Sequence, residues 1–315
     1  MYLPRIATQT LKRYLSNFAV VGLTGPRQSG KSTLLRETLP NYTYVTFDDE
    51  QNVARFEDDP KSFMEQYNNQ VIFDEVQFVP KIFNIIKILV DNDRQNYGKF
   101  VLTGSSQFQF LKSSSESLAG RIGMMTLLPL QFSEMPKALQ SESIYQGAYP
   151  ELVLRDYREA QLWYSSYIET YLNKDVRVLL NIGDMRDFRR FIALLAANTA
   201  NTLDMSHYAS NLGVSVPTIK RWLSVLEASY IVFLLPPYYK NLGKRITKSP
   251  KIYFYDTGLV SYLTGITNFE LYDKGPMSGA LFENYIVSEV LKKIKHSTID
   301  AEIFYFRTQD KAEID

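Results

Sequence analysis

The octet GPRQSGKS, Gly25 to Ser32, stands directly behind the apolar run AVVGLT and leads into the segment STLLRET. A short β-branched run, a glycine-bounded loop and a helix in that order predict a strand–loop–helix unit of an α/β sheet. The spacing G-x-x-x-x-G-K-S is met by Gly25, Gly30, Lys31 and Ser32, and this context separates a phosphate-binding loop from a plain turn. Glycines let the loop turn its N–H groups inward with no Cβ in the way, at a helix N-terminus whose dipole favours anions. The candidate nucleotide site is therefore Gly25, Pro26, Arg27, Gln28, Ser29, Gly30, Lys31, Ser32 and Thr33. Lys31 would set an ammonium against the β- and γ-phosphates and Ser32 a hydroxyl on Mg²⁺, with Thr33 near the α-phosphate. A glycine-rich turn with an exposed lysine is the alternative, and the rest of the chain has to decide.

VIFDEVQ, Val71 to Gln77, supports the first reading: an apolar strand followed at once by two carboxylates delivers Asp74 and Glu75 to the C-terminal edge of a sheet, where open α/β sheets bind ligands. Asp74 would hold Mg²⁺, directly or through water, and Glu75 would orient the water that attacks the γ-phosphorus. KFVLTGSSQ supplies another strand, after which Ser105 or Ser106 would sense the γ-phosphate or simply cap a helix. YTYVTFDDE gives one more strand, with Asp48 and Asp49 read as structural, and PKIFNIIKILVDNDR has helical spacing, so strands alternate with helices as in a parallel sheet. Arg121 in LAGRIG, in cis or from a neighbouring subunit of a homo-oligomer, and Arg27 are the candidate transition-state arginines; a surface salt bridge is the plainer role for either.

With GPRQSGKST, VIFDEVQ, LTGSSQ and LAGRIG in this order, the chain resembles a prokaryotic group of AAA-type ATPases whose C-terminal half is a domain of unknown function. GAYPELVL, YIETYLNKDV, TIKRWLSVLEASYIVFLLPPYYKN, KSPKIYFYDTGLVSYL and GALFENYIVSEVL extend the likeness over nearly the whole chain. The resemblance implies an α/β P-loop NTPase core of AAA type with a parallel sheet, ATP rather than GTP as the nucleotide, then a helical connector, a winged helix and a region similar to restriction-type nucleases. The expected divisions are 1–137, 138–202, 203–260 and 261–315.

In the second half, apolar spacing predicts helices over Leu162 to Leu180 and Phe188 to Ala200 without a catalytic constellation. DMSHYASNLGVSVPTIKRWLSVLEASYIVFLLPP then reads as a helix, a turn at Gly213 and a second helix from about Val216, the geometry of a helix-turn-helix. Thr218, Lys220 and Arg221 would be the groups able to reach DNA. KNLGKRITKSPK carries Lys240, Lys244, Arg245, Lys248 and Lys251 without an acid, as a basic wing would; a packing module with a solvated hairpin is the alternative. GALFENYIVSEVLKKIK offers Glu283 and Glu289. By the nuclease resemblance Glu283, Glu313 and Asp315 would be the first part of a metal set, a truncated one, since the remaining acid and lysine are expected on a later strand.

Composition narrows the partners. Lys plus Arg number 35 against 34 acids, so nucleic-acid binding needs a local patch. There is no cysteine, which removes disulfides and thiolate chemistry and suits a reducing interior, and the two histidines, His207 and His296, exclude a His-rich metal site. No apolar run approaches the roughly 20 residues needed to span a bilayer, and the N-terminus has no apolar signal core, so a cytoplasmic location without membrane contact is expected. Three functions remain: ATP hydrolysis, a nucleotide-gated switch acting on DNA or protein, and nucleic-acid binding without ATP.

Overall fold

The computed structural model describes residues 2–104, 110, 117–171, 185–238, 249–307 and 313–314. Its contacts divide the chain into two units, one of Tyr2–Leu128 with Lys295–Thr298, the other of Pro129–Ile294 with Ile299–Asp315.

The first unit is an α/β sheet domain. In chain order it runs α1 (Ala7–Leu15), β1 (Val20–Thr24), α2 (Lys31–Thr38), β2 (Thr43–Thr46), α3 (Glu50–Asp58), α4 (Pro60–Gln66), β3 (Val71–Asp74), α5 (Ile82–Asp91), β4 (Phe100–Thr103) and β5 (Ile122–Thr126). The strands lie in the order β2-β3-β4-β1-β5, and every pairing is parallel. Parallel neighbours need crossover connections, which the intervening helices supply, and helices on both faces bury the strands. β1, β3 and β4 are accordingly buried at every position. Alternation decides which face each residue feeds. Val20, Phe73 and Leu102 join Phe47, Phe56, Phe63 and Phe83 on one face, while Val21, Leu23, Ile72 and Val101 meet Leu11, Leu34 and Leu35 of α1 and α2 on the other. Asp49 caps α3 by accepting the Gln51 N–H at 2.9 Å, the structural role expected of it.

The Leu127 N–H still bonds the Thr24 carbonyl of β1, whereas the Leu130 N–H bonds Ala148, within the second unit. That unit contains α6 (Ser143–Gln146), α7 (Pro150–Leu154), α8 (Ala160–Tyr171), α9 (Met185–Ala197), α10 (Met205–Leu212), α11 (Val216–Ala228), β6 (Val232–Leu235), β7 (Lys251–Phe254), α12 (Thr257–Thr264), α13 (Phe269–Asp273), α14 (Ser278–Lys295), β8 (Phe306–Arg307) and β9 (Glu313–Ile314). Gly213 makes the turn between α10 and α11 at φ +68°, and Tyr208, Leu212, Ile219, Leu223 and Leu226 are buried there. β6 and β7 form an antiparallel pair.

Side chains knit the expected connector, hairpin and C-terminal region together. Asn284 of α14 exchanges hydrogen bonds with both backbone groups of Phe254 (2.8 and 2.7 Å) and accepts the Thr199 hydroxyl. The buried Asp256 caps α12 through the Leu259 N–H (3.0 Å) and also accepts the Ala148 N–H (2.7 Å) and the Tyr164 hydroxyl (2.6 Å). Desolvation holds its carboxyl above the ordinary range even with these donors. Among the described residues, no helix is long and apolar enough to cross a membrane.

Candidate functional site

The loop after β1 is held open by backbone that few residue types tolerate. Gly25 has φ +142°, and a Cβ there would fall 2.1 Å from the Leu127 carbonyl oxygen. Gln28 follows at φ +61°, and Gly30, at φ +90°, caps α2. Such left-handed turns ahead of a helix aim backbone N–H groups into one concavity, an anion-binding nest. Lys31 is buried inside this bow, its ammonium donating to the carbonyls of Gly25 (3.0 Å) and Pro26 (2.9 Å). From behind, the buried Arg5 guanidinium donates to the carbonyls of Ser29 (2.9 Å) and Leu128 (2.7 Å). Thr33 is exposed on the first turn of α2, and Arg27 is half-buried.

The acid pair arrives from β3. Asp74, 6% exposed, ends the strand, and its Oδ2 accepts the Ser32 hydroxyl at 2.9 Å. The same oxygen accepts the hydroxyl of Tyr44 on β2, while Oδ1 accepts the Glu75 N–H at 3.1 Å. Burial, then the bond to Asp74, pushes the Tyr44 hydroxyl up to about 12, so it stays a donor at neutral pH. Glu75 lies in left-handed backbone (φ +56°, ψ 44°), a conformation that costs a non-glycine residue about 1–3 kcal/mol and that clusters at functional positions. The Gln77 amide donates to its carboxylate. Loop and acid pair thus meet at one sheet edge through the Ser32–Asp74 bond.

The chemistry of the donor set fits a phosphate-bound Mg²⁺. Mg²⁺ takes hard oxygen ligands and is held by one or two protein groups plus substrate phosphates and water. The Ser32 hydroxyl and the Asp74 carboxylate, 2.9 Å apart at the end of the loop, supply protein ligands of that kind. Among the described residues no group of three or more His, Cys, Asp or Glu suits a metal, so an all-protein cage is not offered instead. Ser29 Oγ in the loop and Thr103 Oγ1 at the end of β4 are buried polar atoms without a protein partner among the described residues. Such orphans are costly unless something else satisfies them.

Other expected residues are placed elsewhere. Arg121 precedes β5, and because Ile122 pairs with Val20 and Thr126 with Thr24, it lies at the sheet edge opposite the loop, about 16 Å of strand away. It makes a two-pronged contact with Asp91 at the end of α5 (2.7 and 3.0 Å), which holds the Asp91 carboxyl below its usual range. This ion pair is the plainer role weighed for Arg121, and it lies on the sheet edge away from the loop. Ser105, Lys240, Lys244, Arg245, Lys248 and Asp315 lie outside the described residues, as do the Glu313 side chain and the 172–184 part of the expected helix. Lys220 and Arg221 are exposed on α11.

Two further readings are corrected. Lys251 does not offer its charge to a phosphate backbone: it is 4% exposed on β7 and paired with Glu283 at 2.9 Å. Glu283, which also accepts the Tyr253 hydroxyl (2.7 Å), is accordingly an ion-pair partner, and Glu289 accepts from Lys292 (2.7 Å) and the Phe132 N–H (2.8 Å). Arg5, Tyr44, Gln77 and Thr103 were not singled out from sequence. For Tyr44 the available signal was alternation in TYVT, which puts it on the face of Thr46, but its approach to Asp74 follows only from the β2–β3 register.

Comparison with known proteins agrees with this layout. Residues 17–136 match a family described as AAA domain, and residues 137–270 and 278–315 match two domains of unknown function, DUF8612 and DUF4143. The uncharacterized protein Rv2008c of Mycobacterium tuberculosis is 31% identical over 313 residues, an alignment covering 99% of this chain and 70% of that one. The uncharacterized protein MJ1544 of Methanocaldococcus jannaschii is 24% identical over 92% of this chain and 70% of its own. The solved Walker-type ATPase PABY2304 of Pyrococcus abyssi shares the fold, with a TM-score of 0.55 at 15% identity over 82% of this chain and 94% of that one.

Proposed function

We propose that this chain, which belongs to the family of Rv2008c and carries an AAA-type P-loop domain, is a Mg²⁺-dependent enzyme that hydrolyses ATP to ADP and phosphate. The 2.9 Å bond from Ser32 to Asp74 carries the reading, because it sets the end of β3 against the start of the helix that follows the loop. The backbone of Gly25 to Thr33 wraps the triphosphate, and Lys31 exchanges its two loop carbonyls for β- and γ-phosphate oxygens. Ser32 and Asp74 would hold Mg²⁺, which when bound supplies positive charge against the phosphate oxygens. Glu75 orients a water in line with the γ-phosphorus and takes its proton as the bond to ADP breaks, leaving inorganic phosphate. Phosphate release and nucleotide affinity, measured together in the parent and in Glu75→Gln, test this. Release falls ~100-fold or more while binding persists if Glu75 is the base; unchanged release removes it from that role.

The Gln77 amide already engaging Glu75 favours a second reading, a nucleotide-gated switch with little turnover. In it, occupancy of the loop sets how the second unit engages a partner. Helices α9 to α11 followed by the β6–β7 pair have the element order of a winged helix, and Lys220 and Arg221 are exposed for phosphate contact. Equally negligible release from parent and Glu75→Gln supports the switch. A salt-dependent affinity for duplex DNA that ignores Lys31→Ala supports nucleic-acid binding without ATP.

A further inference from the structure

We infer that Tyr44 is a positioning residue for the cation that accompanies the nucleotide, acting through Asp74; this rests on the Mg²⁺-ATP reading of the loop. Asp74 Oδ2 accepts two hydroxyl donors, Ser32 from α2 and Tyr44 from the edge strand β2. Ser32 cannot hold this oxygen alone, because its hydroxyl would also be a cation ligand and its hydrogen bond to Asp74 must keep its direction while that happens. Tyr44 has no such second task. It is fixed on its other side by Arg36, whose guanidinium carbon lies 4.0 Å from the centre of the tyrosine ring. Ser32 and Arg36 are four residues apart on α2 and so share one face of the helix. One helix face thus presents both the hydroxyl and the guanidinium that bracket Tyr44 and Asp74.

A phenol is well suited to this post. Its single O–H hydrogen must go somewhere when the ring is partly buried, and here it goes to the carboxylate. The ring cannot swing away without losing its contact with Arg36 and its place against the apolar cluster that includes Leu34, Leu35 and Ile72. Tyr44 pairs with Ile72, two residues before Asp74, so ring and carboxylate lie on the same face of the sheet. Outer hydrogen bonds of this kind typically change metal affinity 10–100-fold when removed.

The test uses the 315-residue chain and Tyr44→Phe, which deletes one oxygen and keeps the ring. Binding of a fluorescent ATP analogue is measured in EDTA and then across a Mg²⁺ titration. Positioning predicts affinity in EDTA within about twofold of the parent and a Mg²⁺ midpoint raised ~10–100-fold. An unchanged or lowered midpoint overturns it, the latter because Tyr44 would then compete with the cation. In the Asp74→Asn background Tyr44→Phe should add no further shift, since the partner it acts through has changed; an additive shift overturns the role and points to packing. A parent whose analogue binding ignores Mg²⁺ removes the Mg²⁺-ATP reading itself, and Tyr44's role with it. Unequal thermal midpoints of parent and Tyr44→Phe in EDTA would identify a folding defect as the source of any loss and likewise count against positioning.

Discussion

Replacing Gly25 with alanine isolates what the loop's closeness to β5 demands. The added Cβ would sit 2.1 Å from the Leu127 carbonyl oxygen, where ordinary contact begins near 3.4 Å, so backbone must move by more than an ångström. The residue at fault is main chain, and the Leu127 N–H is itself bonded to Thr24 at 2.8 Å, so no flexible side chain can yield. Positive φ costs about 1–3 kcal/mol for a non-glycine residue, and a strained or broken backbone hydrogen bond adds about 0.5–1.5. Gly120 separates the two effects: it also has positive φ, +74°, but nothing lies within 4 Å of a Cβ placed there. Gly120→Ala is therefore expected to cost about 1–2 kcal/mol and Gly25→Ala about 2–4, read from urea midpoints at equal slope. Gly25→Ala should also weaken ATP binding, and Gly120→Ala should not. Equal destabilisation by the two variants, or normal ATP binding by Gly25→Ala, would refute the close-approach argument.

Three other outcomes follow from the geometry. Arg121→Ala should leave phosphate release per chain unchanged in dilute protein and the urea midpoint close to the parent's, because its pair with Asp91 is partly exposed and far from the loop; a rate that climbs with protein concentration in the parent but not in the variant would assign it a role in trans. Asp256→Asn should destabilise by about 2–4 kcal/mol, since an amide nitrogen must face one of three donors. The Asp256 carboxyl is raised from 3.8 in the fold, so its contribution is fully present below that value and is lost as pH rises through the folded value; the stability gap between parent and variant should narrow over the same rise, and a gap that widens contradicts the burial assignment. Lys251→Met should cost about 1–3 kcal/mol by removing the partner of the partly exposed Glu283, with Lys251→Met/Glu283→Met recovering part of it; a variant that keeps its stability and loses only DNA affinity would return Lys251 to phosphate contact.

What could be read from sequence was chemistry written in consecutive residues. Gly25 to Ser32 and Val71 to Glu75 each carry strand, turn and functional group within a few positions, and the alternation of strands and helices between them implies the parallel sheet. Groups that act through strand register were out of reach: Tyr44 reaches Asp74, and Arg5 reaches Ser29, only after the sheet is assembled. Arg121 carries a different lesson. It precedes its strand rather than following it, and in a parallel sheet that order alone sends it to the edge away from the loop. Lys251 stands at the end of a basic run, and the KIYF that it begins is a strand buried at every position.

Calorimetric titration of ATP with Mg²⁺ into the parent chain and into Lys31→Ala tests the central claim most directly. Deleting a buried ammonium from a phosphate cradle should weaken binding by ~100-fold, about 2.8 kcal/mol, while the fold survives. Equal affinity in the two proteins would mean that the triphosphate, if bound at all, is not held by the loop between β1 and α2.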